Sequence, residues 1–96
     1  MTPLRLDPLV HEPVRLMVMT MLAHHGALAF AELKRLVGAS DGNLGIHARR
    51  LEDAGYVRAK KSFVGRLPRT ELSITPKGRS ALARYAAAMR TLLGGT

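Results

Sequence analysis

The chain contains no cysteine. That absence excludes a disulfide framework, a thiolate metal site and a cysteine nucleophile, and leaves the redox compartment open. Long apolar runs are missing too: the longest, Val14 to Ala23, contains Arg15 and falls far short of the roughly 20 residues that a membrane-spanning helix needs. Asp7, His11, Glu12 and Arg15 interrupt the apolar region that a secretory leader requires, so a soluble, cytoplasmic protein with no membrane partner is expected. Acidic residues are scarce. Seven Asp and Glu stand against fifteen Lys and Arg, a formal net charge of +8 with a sequence pI near 11.2, and such a balance favours polyanions. Genome base composition can produce the same excess, since Arg outnumbers Lys eleven to four in a chain rich in Ala, Gly and Leu. Distribution decides between the two: from Arg49 to Arg69 seven cations face only Glu52 and Asp53.

Catalytic and metal-binding constellations are also lacking. No nucleophile, acid and base fall at a spacing that would share a concave site, so no catalytic residue and no enzyme activity are expected. His24 and His25 are adjacent and point in different directions, which makes them poor joint ligands. His11-Glu12 has no second histidine at helical spacing, and His47 reads as structural. No metal and no cofactor are expected. Internal repeats and low-complexity segments are absent. Ninety-six residues make a single domain with a small core and no room for a separate ligand-binding domain, so any small-molecule effector would have to bind between subunits or alter their spacing.

What is present begins with a short arm, Met1 to Val10, in which Leu4, Leu6, Leu9 and Val10 are available for packing. Asp7-Pro8 and Pro13 each suit a helix start, as one kinked helix or as a turn followed by a helix. From Pro13 to His24 the pattern is apolar nearly all round and stops before Gly26, which requires a central position or a partner chain. Ala27 to Ala29 reads as a brief strand, and Phe30, Leu33, Leu36 and Val37 fall at helical spacing, with no good cap before them. Gly38-Ala39-Ser40 is then a three-residue turn.

The stretch Ser40 to Val57 organises the rest. Ser40 or Asp41 can cap a helix whose Leu44, Ala48 and Leu51 recur at i, i+4 and i+7, one narrow apolar stripe. Gly55 supplies a left-handed terminator, with Tyr56 and Val57 to pack back on the last turn. The opposite face carries Gly42, Ile46, Arg49, Arg50 and Asp53, with Asn43 at its edge. Gly42 and Gly45 sit where Ala would stabilise the helix by about 0.5 to 1 kcal/mol each. Either a nucleic-acid backbone approaches there, or the helix is a mediocre one rescued by packing.

Beyond Gly55 the period becomes two. Val57, Ala59 and Phe63 alternate with Arg58, Lys60 and Ser62, Lys61 breaks the face, and Leu72 and Ile74 alternate with Glu71 and Ser73. These are two strands of a hairpin, with Val64 to Arg69 as the connection because Gly65 allows positive φ and Pro68 cannot donate to a ladder. Its tip is basic. Thr75-Pro76-Lys77-Gly78 opens a last helix to about Leu93, along which Leu82, Tyr85, Met89 and Leu92 are spaced 3, 4, 3, the seam of a short coiled coil. That seam competes with simple packing on the chain's own domain.

In this order the chain resembles the winged helix-turn-helix transcription regulators of bacteria and archaea, close to the ArsR-like and MarR-like branches. The resemblance covers about residues 6 to 92. It rests on HEPVRL at 11–16, FAELKRLVG at 30–38, SDGNLGIHARRLEDAGYV at 40–57 and LSITPKG at 72–78. It implies a mainly α fold with a small β-hairpin in a single domain, with the helix-turn-helix at about 30–54, the wing hairpin at about 56–75 and a dimerisation helix at about 76–93. It also implies a homodimer on double-stranded DNA, with the recognition helix, Asp41 to Ala54, in the major groove and the wing tip, Val64 to Arg69, along the backbone or minor groove. The DNA-binding set is then Ser40, Asp41, Gly42, Asn43, Ile46, Arg49, Arg50, Lys60, Lys61, Arg66 and Arg69, and the dimer interface Leu82, Tyr85, Met89 and Leu92. Gly45 and Ile46 depart from the serine and arginine of many ArsR-like members, and Ile46 suits a thymine methyl instead. The cysteines of metal-sensing relatives are absent. A winged-helix protein-interaction or RNA-binding module is the competing class, and its signature would be a neutral or acidic recognition face, opposite to what Arg49, Arg50 and the basic hairpin present.

Overall fold

A computed structural model describes residues 5–94; Leu4 of the arm and the final Gly95 and Thr96 lie outside the described residues. The order is α1 (Pro13–His25), β1 (Ala27–Ala29), α2 (Phe30–Val37), α3 (Asp41–Asp53), β2 (Val57–Val64), β3 (Leu67–Ile74) and α4 (Pro76–Leu92). Asp7 and Pro8 open a separate turn before α1: the Asp7 carbonyl accepts from the amides of Val10 and His11, and its Oδ1 from the Leu9 amide at 2.9 Å. Glu12 then caps α1 by accepting from the Arg15 amide at 2.7 Å, with Pro13 in the first turn.

The sheet is antiparallel throughout in the order β1-β3-β2. Three residues of β1 pair with Glu71 to Ser73, whereas β2 pairs with the whole of β3 from Val57↔Ile74 to Val64↔Leu67. The sheet's inner end, Val57, Leu72 and Ile74, is buried, and the core closes around Val10, Val18, Met19, Leu22, Leu33, Leu44 and Leu51. Thus α1 is apolar on most sides because it is central, with Val18, Met19 and Leu22 fully buried by its own chain and Met17 left at the surface. Past Ala59 and Thr70 every residue of the hairpin is exposed. The hairpin therefore projects beyond the core, and the molecule is elongated, 56 × 24 × 21 Å.

Two expectations for the hairpin are corrected. The connection is the two-residue turn Gly65-Arg66, not the six-residue segment Val64 to Arg69. Gly65 has φ 64° and among the described residues no non-glycine residue, Arg66 included, has positive φ, the signature of a type II′ turn. Pro68 is accommodated in β3 opposite Phe63. In a two-residue hairpin the closing pair is the hydrogen-bonded one, so Phe63↔Pro68 is the non-bonded pair and Pro68's missing N–H faces the side that β1 does not reach. Phe63, expected on the apolar face, is exposed, because the core ends before it.

Candidate nucleic-acid interface

Ser40, not Asp41, caps α3: its Oγ accepts from the Asn43 amide at 3.1 Å. Leu44, Ala48 and Leu51 are buried as the stripe requires. After Asp53 the chain turns through Ala54 and Gly55, the latter at φ 80°, and the Tyr56 amide donates to Leu51 O at 2.9 Å, the reciprocal closure of a Schellman end. The outward face is thereby fixed. Gly42, Gly45, Ile46, Arg49, Arg50 and Asp53 surround one shallow hollow on it, Ile46 is 59% exposed, and Asn43 lies exposed beside them. A Cβ added at Gly42 or at Gly45 would meet nothing within 4 Å. Among the described residues nothing uses the space those glycines leave.

Asp41 forms an ion pair with Lys34 at 3.0 Å across the tight turn. Lys34 and Arg35, in the last turn of α2, stand outside the expected set, and the three-residue turn before Ser40 brings them beside the start of α3. Arg58 also stands outside that set. Strand alternation places Arg58, Lys60 and Arg69 on one face of the hairpin and Lys61 on the other, while Arg66 sits in the turn. All five are exposed.

Behind α3 lies a polar network that holds the helix to the N-terminal turn. Arg15, almost completely buried, donates from Nε to Leu9 O at 2.6 Å and from a guanidinium nitrogen to His47 Nδ1 at 2.9 Å. Arginine only donates, so Nδ1 is the acceptor in this pair, and Nε2 lies 3.6 Å from Glu12 Oε2. His47 is a strut between α1 and α3. At the other end of α3 the Tyr56 hydroxyl donates to Asp7 Oδ2. That bond, then burial and the Asp7 charge, raise the tyrosine's pKa above its ordinary value, and Arg84 opposes the shift. Thr75 caps α4 through the Gly78 amide and donates to Gly55 O, which locks the start of α4 onto the end of α3.

Of the seam on α4, Tyr85 is buried by its own chain and its hydroxyl lies 2.9 Å from His11 Nδ1. Leu82 and Met89 pack partly on the same core. Leu92 and the following Leu93 are 52% and 79% exposed. His24 and His25 end α1. Among the described residues no cluster of His, Asp or Glu is arranged to hold a metal ion, and no helix is long and apolar enough to cross a membrane.

A family model for winged helix DNA-binding domains matches residues 14–93. An uncharacterized protein of Methanocaldococcus jannaschii is 36% identical over 72 residues, 75% of this chain and 78% of that protein. Among solved structures, a transcriptional regulator homologue from Pyrococcus horikoshii OT3 superposes with a TM-score of 0.84 at 29% identity, covering 90% of this chain and 85% of that one. A MarR-family transcriptional regulator from Silicibacter pomeroyi shares the fold with a TM-score of 0.71 at 20% identity, over 86% of this chain and 55% of that one.

Proposed function

Because this chain belongs to the winged helix DNA-binding domain family, we propose that it is a sequence-specific regulator of transcription that binds double-stranded DNA as a homodimer in the cytoplasm. In this reading α3 enters the major groove and the basic wing follows the backbone or the minor groove. The observation that carries it is the outer face of α3, where two glycines with no internal packing role lie beside exposed Ile46, Arg49 and Arg50. A surface that keeps backbone bare next to long cations suits a polyanion approaching closely.

Hairpin and helix cations would displace counterions from phosphates and give affinity that falls steeply with salt. Asn43, Ile46, Arg49 and Arg50 would then discriminate base edges, while Ser40 and Asp41 set the helix start and Lys60, Lys61, Arg66 and Arg69 hold the phosphates. The subunits would meet along α4, through Leu92 and the half-covered Leu82 and Met89, with Tyr85 shaping the helix from inside. A small-molecule effector would act by changing the spacing of the two α3 helices.

Selection of bound sequences from a random DNA pool tests the reading, followed by isotherms at several salt concentrations. A recovered consensus is expected. Arg66→Ala and Arg69→Ala should weaken consensus and random DNA alike and each lower the salt slope by about one. Arg50→Ala should chiefly reduce the ratio of the two affinities, since a bidentate pair on guanine discriminates by about 1 to 3 kcal/mol. Recovery of no consensus, with Arg50→Ala indistinguishable from wild type, would overturn sequence-specific readout by α3.

A further inference from the structure

We propose that the wing tip is an apolar wedge that enters the DNA minor groove and partly unstacks a base step, bending the duplex. The inference rests on the DNA-binding reading above and adds to it a deformation of the DNA.

Phe63, Val64 and Leu67 are 72%, 61% and 72% exposed, and with Pro68 they form the last two cross-strand pairs, Phe63↔Pro68 and Val64↔Leu67. Alternation puts one pair on each face of the ribbon. Both faces of the tip are therefore apolar, unlike a surface shaped to lie flat against one partner. The ladder is paired without a break to the closing pair, and the type II′ turn matches the natural twist of the strands. The ribbon thus keeps one register out to its end, which brings these four apolar side chains together at the tip.

Charge selects the occupant. Between Val57 and Thr70 there are five cations, Arg58, Lys60, Lys61, Arg66 and Arg69, and no acid. An apolar prow surrounded by cations complements a narrow slot with phosphate rims and a floor of stacked bases, which is the minor groove. Apolar side chains inserted there unstack base steps and kink DNA, most easily at flexible pyrimidine–purine steps. A groove about 6 Å across must widen as the duplex bends to admit the ribbon end-on, so that the side chains of both closing pairs enter while Arg66 reaches from the turn to phosphate at the rim.

The test uses two 30-base-pair duplexes of equal composition, one rich in TA steps with 2-aminopurine in each, the other built from AA steps with 2-aminopurine at matching positions. Both carry a fluorophore pair at their ends. The 96-residue chain should raise 2-aminopurine fluorescence and energy transfer on the TA duplex, and bind it about tenfold more tightly than the AA duplex. Phe63→Ser/Leu67→Ser, which alters only exposed side chains, should keep the salt slope and lose the fluorescence rise, the bend and the preference. Val64→Ser should lose part of each. Wild-type binding with no fluorescence rise overturns the wedge and leaves the regulator reading standing, as does a double variant that behaves like wild type. Failure of the wild type to bind either duplex at low salt overturns both.

Discussion

Tyr56 is where single side chains hold the end of α3 against the N-terminal turn. Its hydroxyl donates to Asp7, and its raised pKa means that the fold prefers the neutral phenol. The contribution to stability is therefore complete below the ordinary value of 10.0 and is lost as pH rises through the raised value. Tyr56→Phe should cost about 1.5 kcal/mol at neutral pH, the loss of a hydrogen bond to a charged acceptor. Above pH 10 the variant should lose stability less steeply than wild type. Urea midpoints from pH 7 to 11 check this, and parallel curves would show that the bond contributes nothing. Gly78 shows a different single-residue constraint. A Cβ there would lie 2.1 Å from Tyr56 O and 2.9 Å from Ile74 Cγ1, because the Thr75 contacts draw the first turn of α4 onto the end of α3. Gly78→Ala should lower the denaturant midpoint by the equivalent of about 2 to 3 kcal/mol, the scale of an overpacked site.

At the level of elements, α3 carries a cost that its own packing does not explain. Gly42→Ala and Gly45→Ala should each stabilise the protein by about 0.5 to 1 kcal/mol, since the new methyl meets nothing, while weakening DNA binding about tenfold by holding the backbone off. Thermal midpoints and binding isotherms measure the two effects together. A rise in stability with unchanged affinity would leave only a mediocre helix. The helices were legible because their ends are chemically marked: Pro13, Ser40 and Thr75-Pro76 stand at observed starts, and Gly26, Gly38 and Gly55 stand at or beside the ends with positive φ. Even α2, without a side-chain cap, followed from the spacing of Phe30 and Leu33. The wing was less legible. Pro68 reads as a break in a ladder, but that rule concerns strands flanked on both sides, and β1 ends at Ala29, opposite Glu71. Alternation likewise shows which face Phe63 shares and not where the core ends. Arg15 reads as an interruption of an apolar run, because its acceptor Leu9 O and its partner His47 come from the arm and from α3, joined only by the tertiary fold.

Across the whole molecule, Met17, Leu36 and Ile46 are exposed singly among the described residues, whereas the other exposed large apolar side chains gather at the wing tip and at the end of α4. Of these two groups only the second lies on the helix expected to dimerise. Since α1 is satisfied by its own chain, it no longer argues for a partner. The case rests on Leu92 and Leu93, with Leu82 and Met89 half covered and Ala86 and Ala88 small enough for a neighbour to approach. Light scattering at micromolar concentration should report about twice the 10.4 kDa chain mass. Leu92→Glu/Leu93→Glu is the sharper variant than Met89→Glu, because its positions lie outside the core and folding should be unaffected. It should give a monomer with an unchanged circular dichroism spectrum. Two α3 helices joined in one dimer would reach successive half-sites about 34 Å apart, and the second contact would then be intramolecular. Such linkage raises affinity by roughly 10² to 10⁴. The monomeric variant should therefore lose that factor on a palindromic consensus while matching wild type on an isolated half-site. A wild type that scatters as a monomer at all concentrations, or a double-glutamate variant that keeps its full affinity for the palindrome, would remove α4 as the interface.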